Sequence, residues 1–464
     1  MIVSKGAVRQ PLFLRSLCLV FFGFLCYTET KKGVVSVGDR PCAAEEERVI
    51  LHCDCNSFFA SVETVLNPAF AEVPMAVCGS VEDRHGIVLA KNEKAKKYGI
   101  ETAETVWSAR KKCKDLVIAP PHYDAYVEFS RRINCIYAHY TELVEPFSID
   151  ESWLDVTHAS PLFGDGLSIA EALRQTVKRE IGLTISVGVS FNKMTAKIGS
   201  DYKKPNAVTV ITRQNYQKIV YPLPVDAMMY IGPRTTEGLH DAGIHTIGEL
   251  ASATPSFLTS RFGHIGEQIL RFARGEDTSP VISHKDRAAQ KSISNGMTFR
   301  RDLETAEEIT VGLSVLCEEI AARLRSIGKV ARTVAVTVKD TLLQSVTHQA
   351  PVDPPTALGR ELASAAFRVV EREWNIGRPI RALTVSVTNF AESGSSSAQF
   401  DLFDIGAIAR REREEKIEGM VDDIRDRYGR DSIASLAAIG NDFGAPHGEK
   451  NAPVGEEVPK TKKT

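Results

Sequence analysis

The chain is short of what would mark several large classes of protein. Its charge is nearly balanced, with 57 Lys and Arg against 59 Asp and Glu and a formal net charge of −2. The molecule as a whole is therefore not a polycation drawn to nucleic acid by its overall charge. Nine cysteines are scattered without paired metal-ligand spacing, which excludes a disulfide scaffold or a zinc ribbon and fits a reduced, cytoplasmic protein. The longest apolar stretch, Leu12 to Tyr27, is short for a membrane span. It follows Lys5 and Arg9, contains Arg15, and so resembles a signal peptide, but no small-residue cleavage pattern follows clearly. Residues 1–46 are expected to be an N-terminal extension, disordered or arising from a start site placed too early.

What is present begins with two acidic clusters about a hundred residues apart, Cys53-Asp54-Cys55-Asn56-Ser57-Phe58-Phe59 and Phe147-Ser148-Ile149-Asp150-Glu151. In each, an apolar run expected to form a strand leads to carboxylates at its end. If the two strands are neighbours, Asp54, Asp150 and Glu151 converge on one sheet edge. Each like-charged pair at ~4 Å and an effective dielectric of ~20 costs about 4 kcal/mol. A divalent cation compensates such a cluster, and Mg²⁺ suits an all-oxygen site. Either cluster alone reads as readily as a solvated turn. After Asp54, Asn56 or Ser57 is placed to cap a helix whose first N–H groups form an anion site.

At these residues the sequence resembles the Y-family DNA polymerases, particularly the bacterial DNA polymerase IV branch. The likeness runs from about Arg48 to Phe403, and its strongest segment is Ser186-Val187-Gly188-Val189-Ser190-Phe191-Asn192-Lys193-Met194-Thr195-Ala196-Lys197-Ile198-Gly199-Ser200-Asp201, followed by Lys203-Lys204-Pro205-Asn206. The resemblance implies an α+β multidomain right hand. It has a palm (47–56 and 120–212), small helical fingers (57–119), a helix-hairpin-helix thumb (213–281), a linker (282–290) and a βα little finger (291–391). A tail (392–464) follows.

The resemblance further implies that Asp54, Asp150, Glu151 and the carbonyl of Cys55 hold two Mg²⁺ ions. Backbone N–H groups of Ser57, Phe58 and Phe59, with Lys96 and Lys204, would hold a deoxynucleoside triphosphate. Phe59 would be the ring that excludes a ribose 2′-hydroxyl, with Phe58 in the core. The chain departs from the family at Asn56, where many relatives carry Asp, and at Ala90, Glu93 and Lys96, where Thr, Tyr and Arg are frequent. Lys96 lacks the bidentate fork of Arg, and Lys91 is a substitute.

Elsewhere the pattern is read from periodicity. Ile169 to Gly182 reads as an amphipathic helix, and Thr184–Ser190 and Ala207–Thr212 as strands, within a palm of four strands and two helices. Tyr230 to Leu250 has a hairpin look, with Tyr230 in place of the first turn glycine. In the little finger, strands are expected at Lys291–Ser294, Thr298–Phe299, Thr333–Val338 and Leu383–Val387, and helices at Ala306–Ile327 and Thr356–Trp374. Lys291, Arg300, Arg301, Lys329 and Arg332 are candidate phosphate contacts. Gln399, Leu402 and Phe403, on a Ser-rich tether, resemble the peptide by which bacterial polymerases bind the sliding clamp. Ala407–Tyr428 reads as a charged helix, and the end from about Asp442 as disordered.

The whole then reads as an error-prone translesion polymerase without proofreading, a cytoplasmic monomer acting on primer-template DNA, with no membrane partner. A nucleotidyl cyclase shares paired acids but needs neither hairpin thumb nor clamp peptide. A catalytically inactive family member or DNA-binding scaffold would not need all three acids.

Overall fold

The computed structural model describes residues 47–393 and 405–429, except 83, 85, 284, 285, 287 and 288, together with 432, 433, 442 and 443. The expected N-terminal extension and the peptide 399–403 lie outside the described residues. In chain order the strands are β1 (Ile50–Cys55), β2 (Met75–Cys78), β3 (Val88–Lys91), β4 (Val117–Ala119), β5 (Val144–Pro146), β6 (Glu151–Asp155), β7 (Ile185–Ser190), β8 (Val208–Ile211), β9 (Ser292–Leu303), β10 (Lys329–Asp340), β11 (Ser345–Thr356) and β12 (Ile380–Glu392).

The palm is a five-stranded sheet in the order β5-β6-β1-β7-β8, one strand more than expected. β1 lies at its centre and is buried throughout, because both faces of the sheet are covered. Side chains alternate along a strand. Leu51, Cys53 and Cys55 pack into the core formed with the helices Tyr123–Ala138 and Gly166–Ile181. Ile50 faces the other way and packs with Ala196 of the helix Lys193–Tyr202. His52 and Asp54 share that second face.

The helix Lys193–Tyr202 lies directly on the backbone of β7. A Cβ at Gly188 would sit 1.9 Å from the carbonyl oxygen of Ala196 and 2.5 Å from the nitrogen of Ser200. Only glycine permits this approach. It sets how closely the helix's side chains face β1.

The acids of the second cluster are placed differently from expectation. Phe147, Ser148 and Ile149 do not form a strand; they make a tight turn in which the N–H groups of Phe147 and Ser148 both donate to the carbonyl of Glu151 (2.9 and 3.2 Å). Glu151 therefore opens β6 rather than following a strand. β6 runs antiparallel to β1, so the start of one and the end of the other share an edge, with Asp54 opposite Glu151.

The fingers are not the helical unit expected. A small sheet, β3-β2-β4, lies at their centre, and within Gly86–Gly99 only Glu93–Lys96 is helical. Asn92 explains the break. Its side-chain oxygen accepts from the N–H groups of Met75 and Ala95, at 3.1 and 2.9 Å. That joins the end of β3 to β2 and caps the short helix that follows. In the thumb, helices Pro233–His240, Ile247–Ser252, Pro255–Phe262 and His264–Ala273 share one core. Tyr230 adopts the left-handed backbone (φ +69°) with its side chain exposed, a conformation costing a non-glycine residue about 1–2 kcal/mol. The expected linker is fixed at its start, where the N–H of Ile282 donates to Glu145 at 2.7 Å.

The little finger is an antiparallel sheet, β11-β10-β12-β9, backed by helices Ala306–Ser326 and Gly359–Glu373. β9 is one strand where two fragments were expected. β11 was not expected at all, and it contains Pro351, Pro354 and Pro355. It pairs only with β10, and an edge strand tolerates residues that cannot donate to a second neighbour. The helix expected from Thr356 starts at Gly359 because Thr356 still belongs to β11.

The tail is partly ordered onto this domain. Helix Ile405–Tyr428 is held through Arg325, which reaches Glu418 and forks Asp422 at 2.6 and 2.9 Å. Asp442 and Phe443, expected to be disordered, are ordered: Phe443 is packed and Asp442 is ion-paired. Phe443 is 4% exposed, edge-on to Phe299 at 5.9 Å, and Arg301 forks Asp442 at 2.9 and 2.6 Å.

The contact at Gly188 is directly testable. Gly188→Ala forces the helix off the sheet, so it should destabilise the palm by about 3 kcal/mol and lower the thermal unfolding midpoint of the purified protein. An unchanged midpoint would show that the close seat is not needed.

Candidate active site

Asp54 and Glu151 face one another across β1 and β6, and the helix Lys193–Tyr202 and its continuation bring two ammonium groups to them. Lys197 bridges the pair, with Nζ 2.9 Å from Glu151 and 3.4 Å from Asp54. Lys204 Nζ lies 2.6 Å from Asp54. Asp201 completes the network, 3.1 Å from Lys197 and 2.7 Å from Lys204. Lys197, Ser200 and Asp201 follow helical spacing and so share one face, and Lys204 follows just past the helix end. That spacing was visible in the sequence, but only Lys204 was singled out there.

Asp150 is brought alongside by its backbone, whose carbonyl accepts from the N–H of Cys55 at 3.0 Å. Its carboxylate is turned to the Ser148 hydroxyl at 2.7 Å. The structure thus joins Asp54 and Glu151 directly and places Asp150 at their margin. Among the described residues, no three His, Cys, Asp or Glu side chains are grouped as a ready metal cage.

The electrostatics are those of a site with more acid than base nearby. Burial pushes the Asp54 carboxyl up to about 7, and the neighbouring Glu151 adds to this against the pull of Lys204. Burial likewise raises Asp150. Glu151 is also penalised by burial, but the neighbouring His52, Asp54 and Lys197 outweigh this and hold it below the ordinary range. Two lysines do not fully neutralise the acids around them. This all-oxygen donor set, already drawing cations, fits a divalent metal.

The start of the helix Phe58–Leu66 differs from expectation. Neither Asn56 nor Ser57 caps it through a side chain. Asn56 turns back into the sheet, accepting from Ser186 at 2.9 Å and donating to Thr184 at 3.2 Å. Ser57 is the N-cap in a left-handed conformation without a side-chain bond to the helix. Its hydroxyl donates to Glu93 at 3.3 Å, and the same Glu93 oxygen receives Lys96 at 2.6 Å. Lys96 is therefore linked to the helix start through Glu93, while Lys91 is engaged with Thr102 at 2.9 Å.

The two phenylalanines separate as expected. Phe58 is 3% exposed in the palm core. Phe59 is half-buried and stacks on Tyr126, ring centroids 4.1 Å apart at 11°. Tyr126 is in turn held by a hydrogen bond to the buried Glu63, which also meets His122 Nδ1 at 2.9 Å. Tyr126 and Glu63 were not foreseen, because nothing in their local sequence announces a contact 63 residues apart.

Of the candidate phosphate contacts, Arg301 is committed to Glu308 and Asp442, and Lys329 to Glu392. Lys291 and Arg332 are exposed. Among the described residues, no helix is long and apolar enough to cross a membrane.

Residues 53–201 match the model of the impB/mucB/samB family, and residues 290–402 that of the impB/mucB/samB family C-terminal domain. The chain is 44% identical over 387 residues to the DNA polymerase IV of Acetivibrio thermocellus, covering 83% of this chain and 96% of that protein. It is 40% identical over 381 residues to the DNA polymerase IV of Moorella thermoacetica, covering 82% and 93%. A Y-family DNA polymerase chimera of known structure superposes with a TM-score of 0.67 at 23% identity, over 74% of this chain and all of that one. With the sheet-edge acids, the lysine-bearing helix and this coverage taken together, the chain belongs to the impB/mucB/samB family, the Y-family DNA polymerases.

Proposed function

We propose that the chain is an error-prone translesion DNA polymerase that extends a primer on a DNA template without proofreading. The observation that carries the reading is the register of Asp54 opposite Glu151 at the sheet edge, faced by Lys197 and Lys204. Asp54, Asp150, Glu151 and the Cys55 carbonyl would hold divalent cations, two Mg²⁺ in this reading. Bound there, the ions would make the primer hydroxyl a better nucleophile and neutralise the triphosphate.

The chain's own groups do the positioning. The primer 3′-hydroxyl oxygen bonds to the α-phosphorus of the incoming deoxynucleotide while the bond to the β-phosphate oxygen breaks and pyrophosphate leaves. N–H groups of Ser57, Phe58 and Phe59 at the helix start bind the triphosphate, where the helix dipole favours anions. Lys204 exchanges its Asp54 partner for a phosphate, and Lys96 supplies a second point charge. Phe59, braced on Tyr126, lies beneath the sugar and leaves no room for a 2′-hydroxyl. The chain acts as a cytoplasmic monomer, and Gln399, Leu402 and Phe403 fill a pocket on the sliding clamp, the apolar anchors carrying the affinity.

Purified protein with primer-template, Mg²⁺ and each deoxynucleotide tests the core of this reading. Asp150→Ala should lower primer extension by about 100-fold or more while duplex binding survives; persistent extension would reject the metal assignment. Phe59→Ala should raise ribonucleotide incorporation by about tenfold or more relative to deoxynucleotides. Unchanged sugar selectivity would move the gate elsewhere. Replacing Gln399, Leu402 and Phe403 together by Ala should abolish stimulation by a bacterial sliding clamp and leave basal synthesis intact. Equal stimulation of both proteins would remove the peptide from the account.

A further inference from the structure

His52 lies two residues before Asp54 on β1 and shares its face of the sheet. It is fully buried, its ring edge-on to Trp153 at 5.2 Å. Nδ1 is 2.8 Å from the Ser200 hydroxyl. Nε2 has no hydrogen-bond partner and lies 3.6 Å from Glu151 Oε2. A buried ring nitrogen left without a partner is costly, and Glu151 is the acceptor it faces.

The Ser200 hydroxyl can serve either tautomer of the ring, and Glu151 distinguishes them. Its hydroxyl has one hydrogen and two acceptors at 2.8 Å, the Lys197 carbonyl and His52 Nδ1. With that hydrogen on the carbonyl, Ser200 accepts from Nδ1–H, and a bare Nε2 meets the carboxylate lone pair to lone pair. With it on Nδ1, the ring proton sits on Nε2 and is directed at Glu151. Only the second arrangement suits an ionised carboxylate.

We propose that Ser200 and His52 form a positioning device for Glu151: Ser200 supports the Nε2–H tautomer by donating to Nδ1, and Nε2–H holds Oε2. This leaves Oε1, now 2.9 Å from Lys197, as the oxygen presented to a divalent cation. The 3.6 Å separation is longer than a hydrogen bond, and release of Glu151 from Lys197 would let it close. The inference rests on the reading of Glu151 as a metal ligand. His52 is a positioning residue, acting only through that carboxylate. Outer partners of metal ligands commonly affect metal affinity 10–100-fold.

The test is Mn²⁺ binding, followed by electron paramagnetic resonance on the full-length protein with primer-template and a non-hydrolysable deoxynucleotide, alongside thermal unfolding. His52→Phe should weaken Mn²⁺ binding by about tenfold or more. It should also lower kcat with little change in the nucleotide KM. His52→Gln, whose amide can donate, should recover most of both. A folded His52→Phe protein with wild-type Mn²⁺ affinity overturns the proposal. If that variant does not fold, Ser200→Ala, which keeps the ring, decides: weaker Mn²⁺ binding supports the device and wild-type binding overturns it. Glu151→Gln separates the two readings. If it binds Mn²⁺ as the wild type does, Glu151 is no ligand and the site assignment itself fails.

Discussion

The molecule is organised around the cost of gathering carboxylates at one sheet edge. Antiparallel pairing of β1 and β6 puts Asp54 against Glu151, and burial makes their mutual repulsion severe. The protein offsets this with a helix laid so close to β7 that no side chain fits between them. From that seat Lys197 and Lys204 reach both acids, and Ser200 reaches His52. The same closeness that neutralises the acids also fixes the distances at which a cation would meet them.

This arrangement divides the labour between rigid and exchangeable partners. Glu151 and Asp54 sit on strands in the middle of a covered sheet. The lysines end flexible stems, and Lys204 is a third exposed. A phosphate or metal can draw such a side chain away without disturbing the backbone. Phe59 belongs to the rigid group, since its support runs through Tyr126 to a buried Glu63.

Much of this was legible in the sequence, and the exceptions have physical causes. The acids and the β7 strand follow from residue type and spacing, and the separation of Phe58 from Phe59 from the family resemblance. Phe147-Ser148-Ile149 reads as a strand because it is apolar and β-prone, yet two hydrogen bonds to one carbonyl bend it into a turn. β11 is hidden by its prolines, which are harmless only because it lies at an edge, a property of topology. The fingers sheet depends on Asn92 binding a residue 17 positions away. His52 and Tyr126 are ordinary in isolation; their meaning comes from what the fold sets beside them.

The burial of Phe443 bears on where the little finger ends. The match to the family's C-terminal domain stops at residue 402, yet the ring at 443 fills a slot beside Phe299 in that domain's core. A unit cut at the shorter boundary would carry an open apolar socket into solvent. Any transplant of this domain onto a related polymerase should therefore take the polypeptide through residue 443 as one graft.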